Sequence, residues 1–152
     1  MTQMNMDRPD AVKNAIKLLY CSMGISIIYI GVEQSVLPDD EPVLFGVLFA
    51  SIYIMFFFII YMIGKGRNWA RLASLILFIV GTISHALLVE EYTIYLVELV
   101  LEYPFGVASF ILLLNIVGYA LHTVALVFLF QKPSSDWFRQ MKEQRQAHKM
   151  SV

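Results

Sequence analysis

No lysine or arginine stands between Lys17 and Lys65, and none between Arg71 and Lys132. Each of these cation-free blocks is apolar over most of its length. A helix needs ~20 apolar residues to cross the hydrocarbon core of a bilayer. Each block is therefore long enough to cross twice, with a turn in between. The reading is an all-α membrane protein with spans over 14–36, 43–63, 72–89 and 105–130, arranged as an up-down-up-down bundle of four transmembrane helices. The blocks are separated by one short polar interruption, Gly64-Lys65-Gly66-Arg67-Asn68-Trp69-Ala70-Arg71, where two glycines end one helix and an interfacial aromatic opens the next. Composition agrees: 59% of residues are hydrophobic and 15% charged, against ~45–50% and ~25% in soluble domains. The excess sits in the runs, so residues 1–152 are expected to form a single integral membrane domain.

The charges are segregated. All eleven Lys and Arg fall on one predicted side, as Arg8, Lys13 and Lys17, then Lys65, Arg67 and Arg71, then Lys132, Arg139, Lys142, Arg145 and Lys149. The opposite loops carry Glu33, Asp39, Asp40, Glu41, Glu90, Glu91, Glu98 and Glu102. The positive-inside rule then makes both termini and the 64–71 loop cytoplasmic. A net charge of −1 leaves no basis for nucleic-acid binding. The lipid bilayer is the expected partner, with a second copy or another membrane protein as the candidates beyond it.

Two segments lie outside the spans. Residues 92–102 are too apolar for an ordinary loop, and Glu91, Tyr95, Glu98 and Glu102 share one helical face. This predicts a short amphipathic helix at the outer interface. Ser134-Ser135-Asp136 is a helix start, and 135–149 reads as a cytoplasmic surface helix against the inner leaflet. A faint duplication relates Val32-Glu33-Gln34…Glu41-Pro42 to Val89-Glu90-Glu91…Glu102 and Pro104. Cys21 is the only cysteine, so no disulfide or CxxC redox pair forms within one chain. Tyr20 before it is too bulky for a lipoprotein acylation site, and Cys21 reads as a packing residue. With Asp7 and Asp10 ahead of it, the first apolar run is a poor signal peptide and is expected to remain as a span.

Polar side chains within a span are costly and so are candidates for function. Asn115, Tyr119 and His122 follow i, i+4, i+7 spacing on one face of span four, and Ser84 and His85 stand in span three. Together they form a candidate intramembrane cluster: a proton relay or small-ligand site on one reading, interhelical hydrogen bonds worth ~0.6–2 kcal/mol each on the other. Haem ligation by His85 and His122 is disfavoured by an axial offset of roughly 8 Å at 1.5 Å per residue. No Asp, Glu, Lys or Arg falls mid-span, which disfavours a proton-coupled exporter. Outer acids could take a divalent cation, but read more simply as solvated charge. No cofactor, metal or catalytic residue is assigned, and the chain is not expected to be an enzyme. Ser22 with Ser26, Gly24 with Gly31, and Gly46 with Ala50 mark expected helix-packing faces. Trp69, Arg71, Trp137 and Phe138 are expected as interface anchors, with Tyr92 and Tyr103 on the outer side.

Two stretches carry a resemblance. Gly66-Arg67-Asn68-Trp69-Ala70-Arg71 opens span three, and Lys132-Pro133-Ser134-Ser135 with Trp137-Phe138 follows span four. The chain resembles a group of small bacterial inner-membrane proteins with four helices and no assigned activity, which share a G-[KR]-x-W-A-R entry and a P-S-S-x-x-[WF]-F exit, from which this chain departs in having only Asp136 between Ser135 and Trp137. The resemblance implies a bacterial inner membrane and brings no catalytic residues. The leading expectation is a non-enzymatic accessory or interaction component. The alternative is a small oligomeric transporter or channel using the polar face of span four. A third is an immunity protein that blocks a membrane-active toxin through acidic outer loops.

Overall fold

The structure, a computed structural model, describes residues 7–36, 42–87, 97 and 105–150. Among these residues it is helical, without strands. The helices are α1 (Asp10–Val36), α2 (Pro42–Gly64), α3 (Asn68–Leu87), α4 (Phe105–Phe130) and α5 (Lys132–Met150). The proposed outer helix at 92–102 lies outside the described residues, apart from Val97.

Three helices are long and apolar enough to cross a membrane, over Asp10–Val32, Gly46–Gly64 and Ser109–Phe130. Their parent helices have 27, 23 and 26 residues. At 1.5 Å per residue these reach about 35–40 Å, beyond the ~30 Å hydrocarbon core. α3 has a shorter apolar stretch, Asn68–Ser84. It nevertheless exposes Leu72, Ile76, Ile79, Val80 and Ile83, which fall along one helical stripe.

The α2–α3 connection is a Schellman motif. Gly66 N–H donates to Ile63 O at 2.9 Å and Arg67 N–H to Met62 O at 3.1 Å, while Gly66 takes the left-handed φ of 68°. The glycine is also needed for space. A Cβ there would stand 2.9 Å from Met141 Cγ and 3.2 Å from the Trp137 ring. α5 begins at Lys132, three positions earlier than expected, because Pro133 suits a first helical turn. Ser134 Oγ donates to Phe128 O at 2.6 Å, taking one of the carbonyls that the end of α4 leaves open.

The buried core is concentrated at this basic end. It joins Val12, Ala15 and Leu19 of α1 to Ile59, Ile60 and Ile63 of α2, Ala70 of α3, Ala125, Leu126 and Leu129 of α4, and Trp137 and Phe138 of α5. Farther along the helices packing is looser. α1 stays in extended contact with α4, whereas α3 touches α4 at few points.

Several expectations are corrected. α5 does not lie wholly on a surface; it buries Ser134, Trp137 and Phe138. Cys21 is exposed rather than packed. A Cβ on Gly24, Gly31 or Gly46 would meet nothing within 4 Å, and Ala50 is exposed, because these positions face away from the described helices. Ser22 and Ser26 do mark a packing face. The Ser22 hydroxyl donates to Gly118 O at 3.0 Å, and a Cβ on Gly118 would lie 3.7 Å from Ile25 Cγ2. Gly118 is thus the close-approach position of α4.

Candidate functional site

The gap between α3 and α4 creates a site. Tight α1–α4 packing at Ser22 and Gly118 holds two helices together, and the bulky Phe49 and Phe78 of α2 and α3 close in from the other side. Between them lies a cavity of about 460 Å³ lined by Ser22, Ser26, Tyr29, Ile30, Phe49, Phe78, Asn115, Gly118, Tyr119 and His122. A second hollow of about 170 Å³ shares Ser22, Ser26, Ile30, Phe49 and His122 and extends it toward Tyr53 and Ser74.

Asn115, Tyr119 and His122 reach the cavity from one face of α4, as their spacing predicts. The His122 ring stacks on Phe78, with centroids 5.0 Å apart and planes 18° apart, and meets Phe56 edge-on at 6.4 Å. Phe78 also meets Tyr119, at 6.1 Å and 61°. The histidine is held by rings, and its Nε2 is buried without a hydrogen-bond partner. Burying such a nitrogen unpaired costs about 1–3 kcal/mol, so a bound hydrogen-bonding group would recover that energy.

The serines contribute acceptors. Ser22 Oγ gives its proton to Gly118 O and Ser26 Oγ gives its own to Ser22 O, each at 3.0 Å. Their oxygens keep lone pairs for a ligand. With its proton committed to Gly118 O, Ser22 is not a nucleophile activated by His122. Among the described residues, no Asp, Glu, Lys or Arg lines the cavity. No group of three His, Cys, Asp or Glu suited to a metal occurs among the described residues. The arrangement can bind and orient a small neutral molecule through aromatic faces and a few hydrogen bonds.

The other predicted members are placed differently. Ser84 is exposed and lines neither hollow. His85 stands in the last turn of α3, and its side chain lies outside the described residues. Ser22 and Ser26 belong to the site, although their i, i+4 spacing suggested only packing. Phe49 and Phe78 carry no sequence signal that separates them from other apolar residues.

The expected interface anchors split. Trp69 is 48% exposed, with its ring 6.1 Å from that of Phe58. Trp137 and Phe138 are 5% and 1% exposed. Phe138 lies beneath Arg71, which ties the start of α3 to the α4–α5 junction, and Trp137 packs on Phe138 at 5.0 Å and against Gly66. Arg71 Nη1 donates to Leu129 O at 3.2 Å and to Ser135 Oγ at 3.0 Å. Its guanidinium lies 4.6 Å from the Phe130 ring centre and 4.9 Å from that of Phe138, within cation–π range. The two short motifs thus fold against each other as one junction.

Two further arginines act on helix ends in the same way. Arg8 Nη2 donates to Gly64 O at 2.9 Å, and Arg145 donates to Lys65 O at 3.2 Å and Gly66 O at 2.8 Å. Cations at a helix C-terminus satisfy open carbonyls and complement the helix dipole. When the chain is compared with protein-family models, with curated proteins and with solved structures, it matches none of them.

Proposed function

We propose that the chain is a non-enzymatic, multi-pass inner-membrane component that binds a small neutral ligand within the bilayer. The observation that carries this reading is the roughly 460 Å³ cavity on the polar face of α4. The described residues of its lining are uncharged, and one buried nitrogen lacks a partner. In this reading α3 is a fourth span, since its exposed apolar stripe needs lipid as much as that of α2 does. The termini and the α2–α3 turn are cytoplasmic, on the strength of the cation distribution, and the two short motifs support a bacterial inner membrane. Fusing reporters to the C-terminus and within 37–41 tests the orientation.

Site-directed labelling tests the cavity without knowing the ligand. A thiol must ionise to react with an aqueous methanethiosulfonate, so only a water-accessible cysteine is labelled. In a Cys21→Ser background, Asn115→Cys should label and Ile116→Cys, 56% exposed on the outer face, should not. An unreactive Asn115→Cys sinks the cavity reading.

The loose packing of α3 on α4 favours a second reading, a small oligomeric transporter that opens along this seam. Cross-linking α3 to α4 would then abolish solute flux in proteoliposomes, whereas a binding component would retain ligand. A toxin-immunity role draws no support here, since most of its acidic loop residues lie outside the described residues.

A further inference from the structure

The basic end carries two grooves that the helix-capping arginines leave open. One, about 560 Å³, runs along α5 past Arg67, Lys142, Arg145 and Lys149. The other, about 360 Å³, lies at the end of α2 beside Tyr61, Met62, Lys65 and Arg67. Arg67, Met141 and Arg145 line both, so the two form one cleft with a shared wall. Its cations are Lys65, Arg67, Lys142, Arg145 and Lys149, and no Asp or Glu among the described residues lines it. The acids of α5 are turned elsewhere. Asp136 is paired with Arg139 at 3.0 Å. Glu143 stands about 160° around the helix from Arg145, at ~100° per residue.

These cations have different duties. Arg145 is committed to the carbonyls of Lys65 and Gly66. Burial and the neighbouring charge of Arg67 both weaken its hold on its proton. Arg67 is exposed, and its electrostatic neighbour is Arg145, which it repels. Lys142 and Lys149 are also exposed. An exposed guanidinium repelled by a second cation, with two exposed lysines and no described carboxylate along the same cleft, suits a phosphate, which guanidinium binds in bidentate fashion. The floor of the cleft is apolar, formed by Met62, Met141 and the half-exposed Tyr61 ring. It continues the apolar surface of α2 at the level where a bilayer's headgroups begin.

The geometry points to this cleft as a binding site for the phosphate of an anionic phospholipid from the adjacent leaflet. Arg67, Lys142 and Lys149 are the headgroup ligands, and Met62 and Met141 lie beneath the glycerol. The site is independent of the intramembrane cavity and requires only that this end of α2 meet a membrane surface.

Full-length protein, delipidated in neutral detergent, can be titrated with phosphatidylglycerol or phosphatidylcholine while native mass spectrometry counts bound lipid. Phosphatidylglycerol should bind saturably, and phosphatidylcholine at least about tenfold more weakly. Arg67→Gln, Lys142→Gln and Lys149→Gln should each weaken phosphatidylglycerol about fivefold. Thermal stability should not change, because none of the three closes a helix end. Lys17→Gln, which removes an exposed cation of α1 outside the cleft, should leave binding as it was. Equal binding of the two lipids, or an equal loss in Lys17→Gln, overturns the assignment. Complete displacement of phosphatidylglycerol by millimolar inorganic phosphate would identify a soluble-anion site instead, and so also overturn it.

Discussion

The basic end joins all five helices and the cavity only the first four, and the two use their polar groups in opposite ways. At the basic end polar groups are spent on closure. Three arginines cap the ends of α2 and α4, a Schellman turn fits beneath Met141, and Phe138 is 1% exposed. At the cavity, polar groups are left unspent. His122 Nε2 has no partner, and two serines present lone pairs to roughly 460 Å³ of space. The proposed binding role would need one place where the helices cannot part. The buried cluster lies at the junction, and α3 and α4 touch at few points.

The largest test of this contrast is Phe138→Ala. Removing a fully buried phenylalanine costs about 3–5 kcal/mol and would also strip Arg71 of one of its two rings. At about 2–4 °C per kcal/mol for a chain of this size, thermal unfolding in detergent should begin roughly 6–20 °C lower. A shift under a few degrees would mean that the junction does not hold the bundle together.

Gly66→Ala comes next. It places a Cβ at a left-handed φ, costing roughly 1–2 kcal/mol, and within 2.9 Å of Met141 Cγ. Gly64→Ala is the matched control, since its Cβ meets Ile16 Cδ1 at an ordinary 3.7 Å and its φ is helical. The expected result is a clear loss of stability for the first and almost none for the second. Equal effects would show that α5 does not seat closely against the turn.

How far each region was legible in the sequence follows from the kind of signal each carries. The apolar runs announce α1, α2 and α4, because crossing a bilayer demands length and hydrophobicity over contiguous residues. Asn115, Tyr119 and His122 announce one face of the cavity, because helical spacing is local. The junction was not legible. A phenylalanine just after a span looks the same whether it anchors in headgroups or packs under an arginine. The residue that decides between them, Arg71, lies 67 positions before Phe138. The serines were visible as a pair, but their second role depends on Gly118 across the helix interface. α3 is ambiguous for a similar reason. Its apolar stretch is short, and its start is committed to Arg71 and Ala70 packing rather than to lipid.

Ser22→Ala probes the boundary between the two regions. The Ser22 hydroxyl both ties α1 to α4 and faces the cavity. Hydrogen bonds between membrane helices average about 0.6 kcal/mol, so unfolding should shift by only about 1–2 °C. Ligand occupancy, read by the labelling of Asn115→Cys, should change more than stability does. A large destabilisation would move Ser22 from the cavity to the junction.

The smallest expected effect is the most discriminating. His122→Phe keeps a ring of similar shape against Phe78 and Phe56 while removing the unpartnered nitrogen. Replacing an unsatisfied polar group with an apolar one of the same shape is nearly neutral or stabilising. The variant should therefore unfold within about 1 °C of the parent, or slightly above it, while losing whatever hydrogen-bonding ligand the cavity takes. If His122 were instead a strut, with its ring nitrogens serving interhelical bonds, the same substitution would cost a bond and lower the unfolding temperature. The sign of a small shift thus decides whether the polar face of α4 is kept for packing or for binding. Stability kept while function is lost is the outcome that only a site would give.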